Sequence, residues 1–295
     1  MTDFNRFLKK FESDKDLIKQ PKISESGVLA PPLSSHIFIG KSGSGKSNLL
    51  TNILMNPIFY GGWFDTTVLV SPTAENDSIQ QQLKVDKDLV FADLRQGPQV
   101  IEKIIASQKK RIREQGSHRA PKIALVLDDI MSGDGSFMRS PQFLSLFTLG
   151  RHFNLGVFCC IQACRSKNNG FPKAALLNAG QLFAFAAGQN EIKVLSENFC
   201  PPMVDSKRFE RWIYDATREK YSFIHINNKS QTYDDRYRSK LGVTLNLDSL
   251  RNKERTDEKS TPALSTYGPR PTETASSAQK EAGGVIGGLG KARQA

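Results

Sequence analysis

Apolar runs alternate with amphipathic stretches between residues 33 and 245. The predicted strands are residues 36–39, 67–70, 89–91, 123–127, 155–161, 181–186 and 221–226. Most of them lack polar alternation, which is typical of strands buried on both faces of a parallel sheet. The predicted helices are residues 48–54, 78–83, 98–113, 141–149, 191–199 and 205–217. Strands alternating with helices predict an α/β fold, with a mostly parallel central sheet flanked by helices.

The pattern divides the chain into three segments. Residues 1–32 begin with apolar side chains at helical spacing and end in a proline-containing stretch, which predicts an amphipathic helix and a linker. Residues 33–245 carry the strand and helix pattern and form the predicted domain. Residues 246–295 are dominated by Ser, Thr, Pro, Gly and charge, which predicts a disordered tail.

A complete G-x-x-x-x-G-K-[ST] motif, the Walker A pattern of a P-loop NTPase, lies between the first predicted strand and the first predicted helix. Its glycines let backbone N–H groups surround a phosphate, and the helix N-terminus favours negative charge. Lys46 is expected to reach the β- and γ-phosphates, and the Ser47 hydroxyl to bind Mg²⁺. The predicted nucleotide-binding residues are Gly40, Lys41, Ser42, Gly43, Ser44, Gly45, Lys46, Ser47 and Asn48. The alternative is a glycine-serine turn that binds nothing. The motif predicts binding of a nucleoside triphosphate, taken as ATP, with Mg²⁺.

Two acids end the apolar run at residues 123–127. Ligands of open α/β sheets bind at the carboxyl ends of the strands, so this pair fits a Walker B site. Asp128 is the predicted Mg²⁺ ligand, and Asp129 the predicted base or water-positioning group for attack on the γ-phosphate. Alternatively, Asp129 only caps the turn that follows it. The second acid favours hydrolysis over simple binding.

Composition narrows the function further. The formal net charge of +11 favours a polyanionic partner, although each basic cluster, such as residues 109–113, is also compatible with a solvated face. No stretch approaches the roughly 18 apolar residues that a membrane span needs, and the N-terminus is too polar for a secretory signal. We therefore expect no membrane association. The four cysteines lack zinc-site spacing and are expected to be reduced and buried.

A segment beyond the generic motifs carries a family resemblance. Residues 147–158, centred on Gly150-Arg151-His152 and leading into a strand that ends at Gln162, resemble the genome-packaging ATPases of poxviruses, giant DNA viruses and virophages. These belong to the FtsK–HerA superfamily of DNA pumps. The resemblance extends over residues 33–240.

The resemblance implies an extra strand between the P-loop strand and the Asp128 strand. That strand would end at Gln162 and place its amide near the γ-phosphate as a sensor; the alternative is a glutamine that caps the next helix. The resemblance also implies a homo-oligomeric ring in which a neighbouring subunit supplies an arginine. Arg151 is the first candidate, with Arg236 and Arg238 as others, because residues 188–190 lack the expected Arg-Asp pair. Arg151 is alternatively a structural ion-pair residue.

The function implied is an ATP-driven motor that moves double-stranded DNA into a viral capsid. The motor would dock on capsid protein and work in the host cytoplasm or a viral factory, associated with the virion. Arg139, Arg165 and Lys167 are the candidate DNA contacts, in the loops after Asp129 and Gln162. Two alternatives remain open at this stage. They are a nucleotide-gated DNA-binding or scaffold protein without turnover, and a small-molecule phosphotransferase.

Overall fold

Among the residues that the computed structural model describes (28–74, 79–164, 170–186, 188–202, 204–245, 247 and 250), nine strands form one sheet. The strands are β1 (Ser35–Ile39), β2 (Thr66–Val70), β3 (Val90–Phe91), β4 (Ile123–Leu127), β5 (Leu155–Ile161), β6 (Gln181–Phe185), β7 (Phe223–Asn227), β8 (Tyr237–Ser239) and β9 (Val243–Thr244).

Helices connect most of these strands. The α-helices are α1 (Lys46–Met55), α2 (Ile79–Gln82), α3 (Gly97–Gln115), α4 (Ser136–Arg139), α5 (Pro141–Leu149), α6 (Lys173–Asn178), α7 (Gln189–Phe199) and α8 (Ser206–Thr217). Short 3₁₀ turns cover Lys87–Leu89, Leu94–Gln96 and Gly150–Phe153. Within the described ranges, no helix is long and apolar enough to cross a bilayer.

Local sequence signals start two of these helices. Ser140 precedes α5, and its Oγ accepts a hydrogen bond from the Phe143 backbone N–H at 3.2 Å. Asp205 precedes α8 and accepts from the backbone N–H groups of Lys207 and Arg208 at 3.0 and 3.1 Å. Each side chain satisfies N–H groups that have no partner within the first turn of the helix.

The sheet order is β3-β2-β4-β5-β1-β6-β7-β8-β9. The first six strands in this order run parallel, and the last three pair antiparallel. β5 lies between β4 and β1, with Leu155 opposite Ile123 and Ile161 opposite Ile39. The predictions of a mostly parallel α/β sheet and of an extra strand between the P-loop strand and the Asp128 strand are therefore confirmed.

Both faces of the sheet are covered by apolar side chains, as the unbroken hydrophobic runs predict. Neighbouring residues of a strand point to opposite faces. Cys159 of β5 accordingly packs in the apolar cluster of one face, and Cys160 in the cluster of the other. Both thiols are free, and burial raises the pKa of each well above its ordinary value.

A set of buried polar side chains on β1, β6 and β7 forms hydrogen bonds around the Tyr60 hydroxyl and the Gln181 amide. His225 Nε2 donates a hydrogen bond to Gln181 Oε1 at 2.9 Å, and Gln181 Nε2 donates to the Tyr60 hydroxyl at 3.3 Å. His36 Nε2 lies 3.3 Å from the same hydroxyl. Burial lowers the pKa of His36 and of His225 to about 3, so both rings are neutral in the folded protein.

The predicted strand at residues 221–226 begins later than expected. β7 starts at Phe223, because Tyr221 has a φ of 65°, in the left-handed region that strands exclude. Leu247 lies beyond the predicted end of the domain at residue 245, and it is buried in the same apolar cluster as Cys159. The predicted helix at residues 1–20 lies outside the described residues, as does most of the predicted tail at 246–295. The domain boundaries stay predictions.

Candidate nucleoside triphosphate site

The predicted phosphate loop joins β1 to α1 at the carboxyl edge of the sheet. The Gly40 N–H donates to the Ile161 carbonyl at 3.1 Å, which ties the start of the loop to β5. Gly43 and Gly45 have φ values of 72° and 105°, which side chains rarely tolerate. The residue that precedes α1 is Gly45, and within the described residues no side-chain hydrogen bond caps the start of this helix. Its first N–H groups are therefore available to an anion.

Lys46 lies folded over this loop. Its ammonium group donates hydrogen bonds to the carbonyl oxygens of Gly40, at 2.7 Å, and Lys41, at 3.0 Å. The ammonium group is thus held beside the space that the loop encloses. Phosphate oxygens entering that space would compete for the same protons, as the predicted role of Lys46 requires.

The two acids stand at the end of β4. Asp128 is only 5% exposed, and its backbone N–H donates to the Val70 carbonyl at 3.0 Å. Asp129 has a φ of 48°, and its carbonyl oxygen accepts from the Ser132 hydroxyl at 3.0 Å. A left-handed non-glycine residue costs energy and is often found at functional sites.

Gln162 follows β5 and is therefore placed between the phosphate loop and the acidic pair. Its Nε2 donates a hydrogen bond to Asp129 Oδ1 at 3.0 Å. The amide thus contacts the residue predicted to act on the attacking water. This position agrees with the prediction that Gln162 lies at the edge of the sheet where ligands bind. The role of Gln162 as a phosphate sensor stays a prediction.

These elements border one cavity of about 430 Å³ at the carboxyl edge. It is lined by Ser42, Gly43, Gly45, Lys46, Ser47, Asn48, Thr73, Asp128, Asp129, Cys160, Gln162 and Tyr221. The structure therefore brings together Lys46, Ser47, both acids and Gln162. Gly40, Lys41 and Ser44 belong to the loop but do not border the cavity. Ser44 Oγ is buried and has no hydrogen-bond partner among the described residues.

Three lining residues were missed by sequence reasoning. Thr73 follows the carboxyl end of β2, a position from which it could have been inferred. Cys160 lies on β5. Burial, and to a smaller extent the neighbouring Asp128 carboxylate, raises the pKa of its thiol, so Cys160 lines the cavity as a neutral thiol. Tyr221 precedes an antiparallel strand, and no pattern in the sequence indicates its proximity to the phosphate loop.

The donor set fits the predicted Mg²⁺. The Ser47 hydroxyl and the Asp128 carboxylate border the same cavity and are hard oxygen donors, which Mg²⁺ prefers. Protein sites commonly hold Mg²⁺ with one or two side-chain oxygens together with substrate phosphates. Ser47 and Asp128 are thus the residues that would hold it.

Arg151 does not lie at this site. It stands in the 3₁₀ turn before β5, at the amino edge of the sheet, and is exposed. There it borders a larger cavity of about 590 Å³ with Trp63, His152 and Lys229. We assign the chemistry to the smaller of these two cavities, because the phosphate loop and the acidic pair border it and do not border the larger one.

The other two candidate arginines contact their own chain. The Arg236 guanidinium lies 4.7 Å from the centre of the Tyr233 ring. Arg238 is only 7% exposed and donates to Asp235 at 3.2 Å and to Thr244 at 2.9 Å. Arg151 therefore stays the first candidate for a residue that acts on a neighbouring subunit.

One of the three candidate DNA contacts is described. Arg139, the last residue of α4, is exposed at the carboxyl edge, and its Nη2 donates to the Asp134 carbonyl at 2.9 Å. Arg165 and Lys167 lie outside the described residues. All three stay predictions.

The chain is similar to several solved structures. The genome packaging NTPase B204 from Sulfolobus turreted icosahedral virus 2 in complex with AMP gives a TM-score of 0.50 at 16% identity, covering 70% of this chain and 96% of that one. Its complex with ATP-gammaS gives 0.48 at 17% identity, with the same coverage. The pCW3 conjugation coupling protein TcpA with ATPgS gives 0.47 at 16% identity, covering 77% of this chain and 65% of TcpA. The first likeness shows the fold of a P-loop NTPase and no more. No protein-family model matches this sequence, and no curated protein matches it.

Proposed function

We propose that this protein is an ATP-hydrolysing motor that translocates double-stranded DNA into a viral capsid. The observation that carries the proposal is the meeting of Lys46, Asp128, Asp129 and Gln162 around one cavity beside the phosphate loop. A nucleotide-binding site alone needs the loop and one acid. The second acid, held by an amide that follows the inserted strand, adds a group able to act on water.

The proposed hydrolysis uses these residues in separate roles. A water molecule attacks the γ-phosphorus, its proton passes to the Asp129 carboxylate, and ADP leaves as the bond to the γ-phosphate breaks. Gln162 orients Asp129 through the 3.0 Å hydrogen bond. Lys46 stabilises the charge that develops on the phosphate oxygens. Ser47 and Asp128 would hold Mg²⁺, which would offset the negative charge of the bound phosphates.

The DNA partner is proposed from charge and fold. The net charge of +11 favours a polyanion, and the likeness in fold is to a viral genome packaging NTPase. A motor that moves along any sequence should contact phosphates and not base edges. Arg139, Arg165 and Lys167 are the proposed contacts, and binding should weaken steeply as salt rises.

The assembly is proposed to be a homo-oligomeric ring docked on capsid protein, in the host cytoplasm or a viral factory and associated with the virion. Arg151 would reach the active site of the neighbouring subunit, because it lies at the opposite sheet edge from the nucleotide site of its own chain. The FtsK–HerA superfamily is the proposed family. The fold comparison does not separate its poxvirus, giant-virus and virophage branch from other members.

The test is ATP hydrolysis with and without linear double-stranded DNA. Wild type is compared with Lys46→Ala and Asp129→Asn, and with Lys103→Ala and Asp215→Asn as controls of the same residue type on exposed helix surfaces. DNA-stimulated hydrolysis that both site variants abolish and both controls retain supports the motor.

Other outcomes select the alternatives. Stable ATP binding without turnover, with or without DNA, would contradict the motor and leave a nucleotide-gated DNA-binding or scaffold protein. Turnover that responds to a small phosphate acceptor and not to DNA would indicate a phosphotransferase.

A further inference from the structure

Tyr221 borders the nucleotide cavity from the side opposite the acidic pair. It precedes β7, which is antiparallel to β6, so the start of β7 lies at the carboxyl edge of the parallel strands. The acids follow β4, the phosphate loop follows β1, and β7 stands on the far side of β6. The cavity thus extends from the acids, across the loop, to Tyr221.

This order sets a direction for a bound nucleotide. The γ-phosphate belongs at the acids, and the β-phosphate belongs over the loop. The remainder of the nucleotide then points toward the β6 and β7 side. From β4 to β7 there are four strand spacings, or about 19 Å, which is sufficient for an extended nucleotide. Tyr221 lies where the base end of the molecule should arrive.

The contacts of the Tyr221 ring leave much of it exposed. A Cβ atom added to Gly45 would lie 3.2 Å from Tyr221 Cδ1, so one edge of the ring rests against the phosphate loop. The Lys220 ammonium lies 4.8 Å from the ring centre. Despite these contacts, Tyr221 is 57% exposed. A large exposed aromatic ring beside a phosphate-binding loop suits a flat, heteroaromatic ligand.

The backbone holds the ring in this place at an energetic cost. Tyr221 has a φ of 65°, and bulky residues rarely adopt this conformation. The turn is fixed next to it by the Ser222 N–H, which donates to the Glu219 carbonyl at 3.1 Å. Among the described non-glycine residues with positive φ, two border this cavity: Asp129 and Tyr221. Strain retained at a cavity wall points to a role in binding.

We propose that the Tyr221 ring is the platform on which the base of the bound nucleoside triphosphate stacks. The inference rests on the proposed nucleotide site and names a residue that binds its base. Tyr221 is not assigned a part in hydrolysis. Stacking on an aromatic ring is tolerant of the identity of the base.

Binding measurements with two probes test the platform. ATP carries a base, and inorganic tripolyphosphate carries the phosphates alone. Tyr221→Leu keeps apolar bulk against Gly45 without an aromatic face, and Tyr221→Phe keeps the face. Because stacking contributes to the affinity for the base, Tyr221→Leu should weaken ATP binding about 5- to 150-fold. The same variant should leave tripolyphosphate binding unchanged. Tyr221→Phe should retain both.

Two controls complete the design. Tyr214→Ala removes a tyrosine that is 60% exposed on α8 and does not line the cavity, and should change neither affinity. Lys46→Ala should weaken both probes. An unchanged ATP affinity in Tyr221→Leu, or an equal loss for both probes, would overturn the platform and leave the nucleotide site intact. Failure of wild type to bind either probe would overturn the nucleotide site and the platform together.

Discussion

Gln162 and Asp129 are 33 residues apart in sequence, yet the Gln162 amide donates a 3.0 Å hydrogen bond to the Asp129 carboxylate. Asp129 follows β4, and Gln162 follows β5, so the contact exists because these two strands are neighbours in the sheet. Asp129 is the group proposed to take a proton from water. The hydrogen bond connects it to the end of β5, the strand that borders the phosphate loop.

Replacing Gln162 should therefore separate catalysis from binding. We expect Gln162→Ala to lower kcat by about 100-fold, the lower end of what general base catalysis contributes, and to leave the Kd for ATP unchanged. Steady-state hydrolysis and ATP binding measure the two quantities. Gln115→Ala, at the exposed end of α3, is the matched control. An unchanged kcat, or a loss of affinity that accounts for the loss of rate, would contradict this role.

The two phosphate-loop glycines should differ in their tolerance of a methyl group. An added Cβ at Gly45 meets Tyr221 at 3.2 Å and Phe185 at 3.4 Å, whereas one at Gly43 meets none of the described residues within 4 Å. Both have positive φ, so both substitutions strain the backbone, by about 1–2 kcal/mol. Gly45→Ala also moves the loop or its neighbours. We expect Gly45→Ala to weaken ATP binding at least about tenfold more than Gly43→Ala, a difference of about 1.4 kcal/mol; equal affinities would contradict it.

The buried histidines make stability depend on pH. The pKa of His36 and of His225 is about 3 in the folded protein, against an ordinary value of 6.5. Below pH 6.5 the unfolded chain therefore binds protons that the folded chain does not. The free energy of unfolding should fall as pH drops from 6.5 toward 3, by up to about 1.4 kcal/mol per pH unit for each histidine.

Chemical denaturation between pH 7.5 and 5.0 measures this slope before most carboxylates titrate. His225→Gln removes one of the two titrating groups, so its slope should be smaller whatever its absolute stability. A wild-type stability that does not change over this range would contradict the lowered pKa of both rings. An unchanged slope in His225→Gln would contradict it for His225 alone.

The proposed trans-acting arginine makes a prediction about mixed assemblies. If Arg151 completes the site of a neighbour, Arg151→Ala should abolish turnover, because such arginines contribute about 10³–10⁵ in rate, without loss of ATP binding. Lys46→Ala should be inactive as well. Mixing the two inactive variants should restore part of the activity, because some interfaces then contain an intact Lys46 and an intact Arg151. No recovery in assemblies shown to contain both variants would exclude the role.

Several features of this protein follow from local sequence. The phosphate loop at 40–47 is a contiguous motif between a strand and a helix, and the acids at the end of β4 follow an unbroken apolar run. The alternation of strands and helices likewise predicts the mostly parallel sheet, because parallel strands need helical crossovers. These features depend on neighbouring residues, and the structure places them as predicted. The start of β7 is the exception, since the turn at Tyr221 has no glycine to mark its left-handed backbone.

The sheet order decided the rest. The family resemblance implied that β5 lies between β4 and β1. The hydrophobic pattern could not predict this position, because a buried strand has the same pattern in any interior position of a sheet. The Gln162–Asp129 contact and the position of Tyr221 beside Gly45 follow from pairings between strands distant in sequence. Sequence alone therefore predicted the phosphate loop, the acidic pair and Gln162 at the edge of the sheet, but not the lining residues Thr73, Cys160 and Tyr221. The tertiary structure determined which of them meet, because strand pairing, and not spacing along the chain, sets the distances between them.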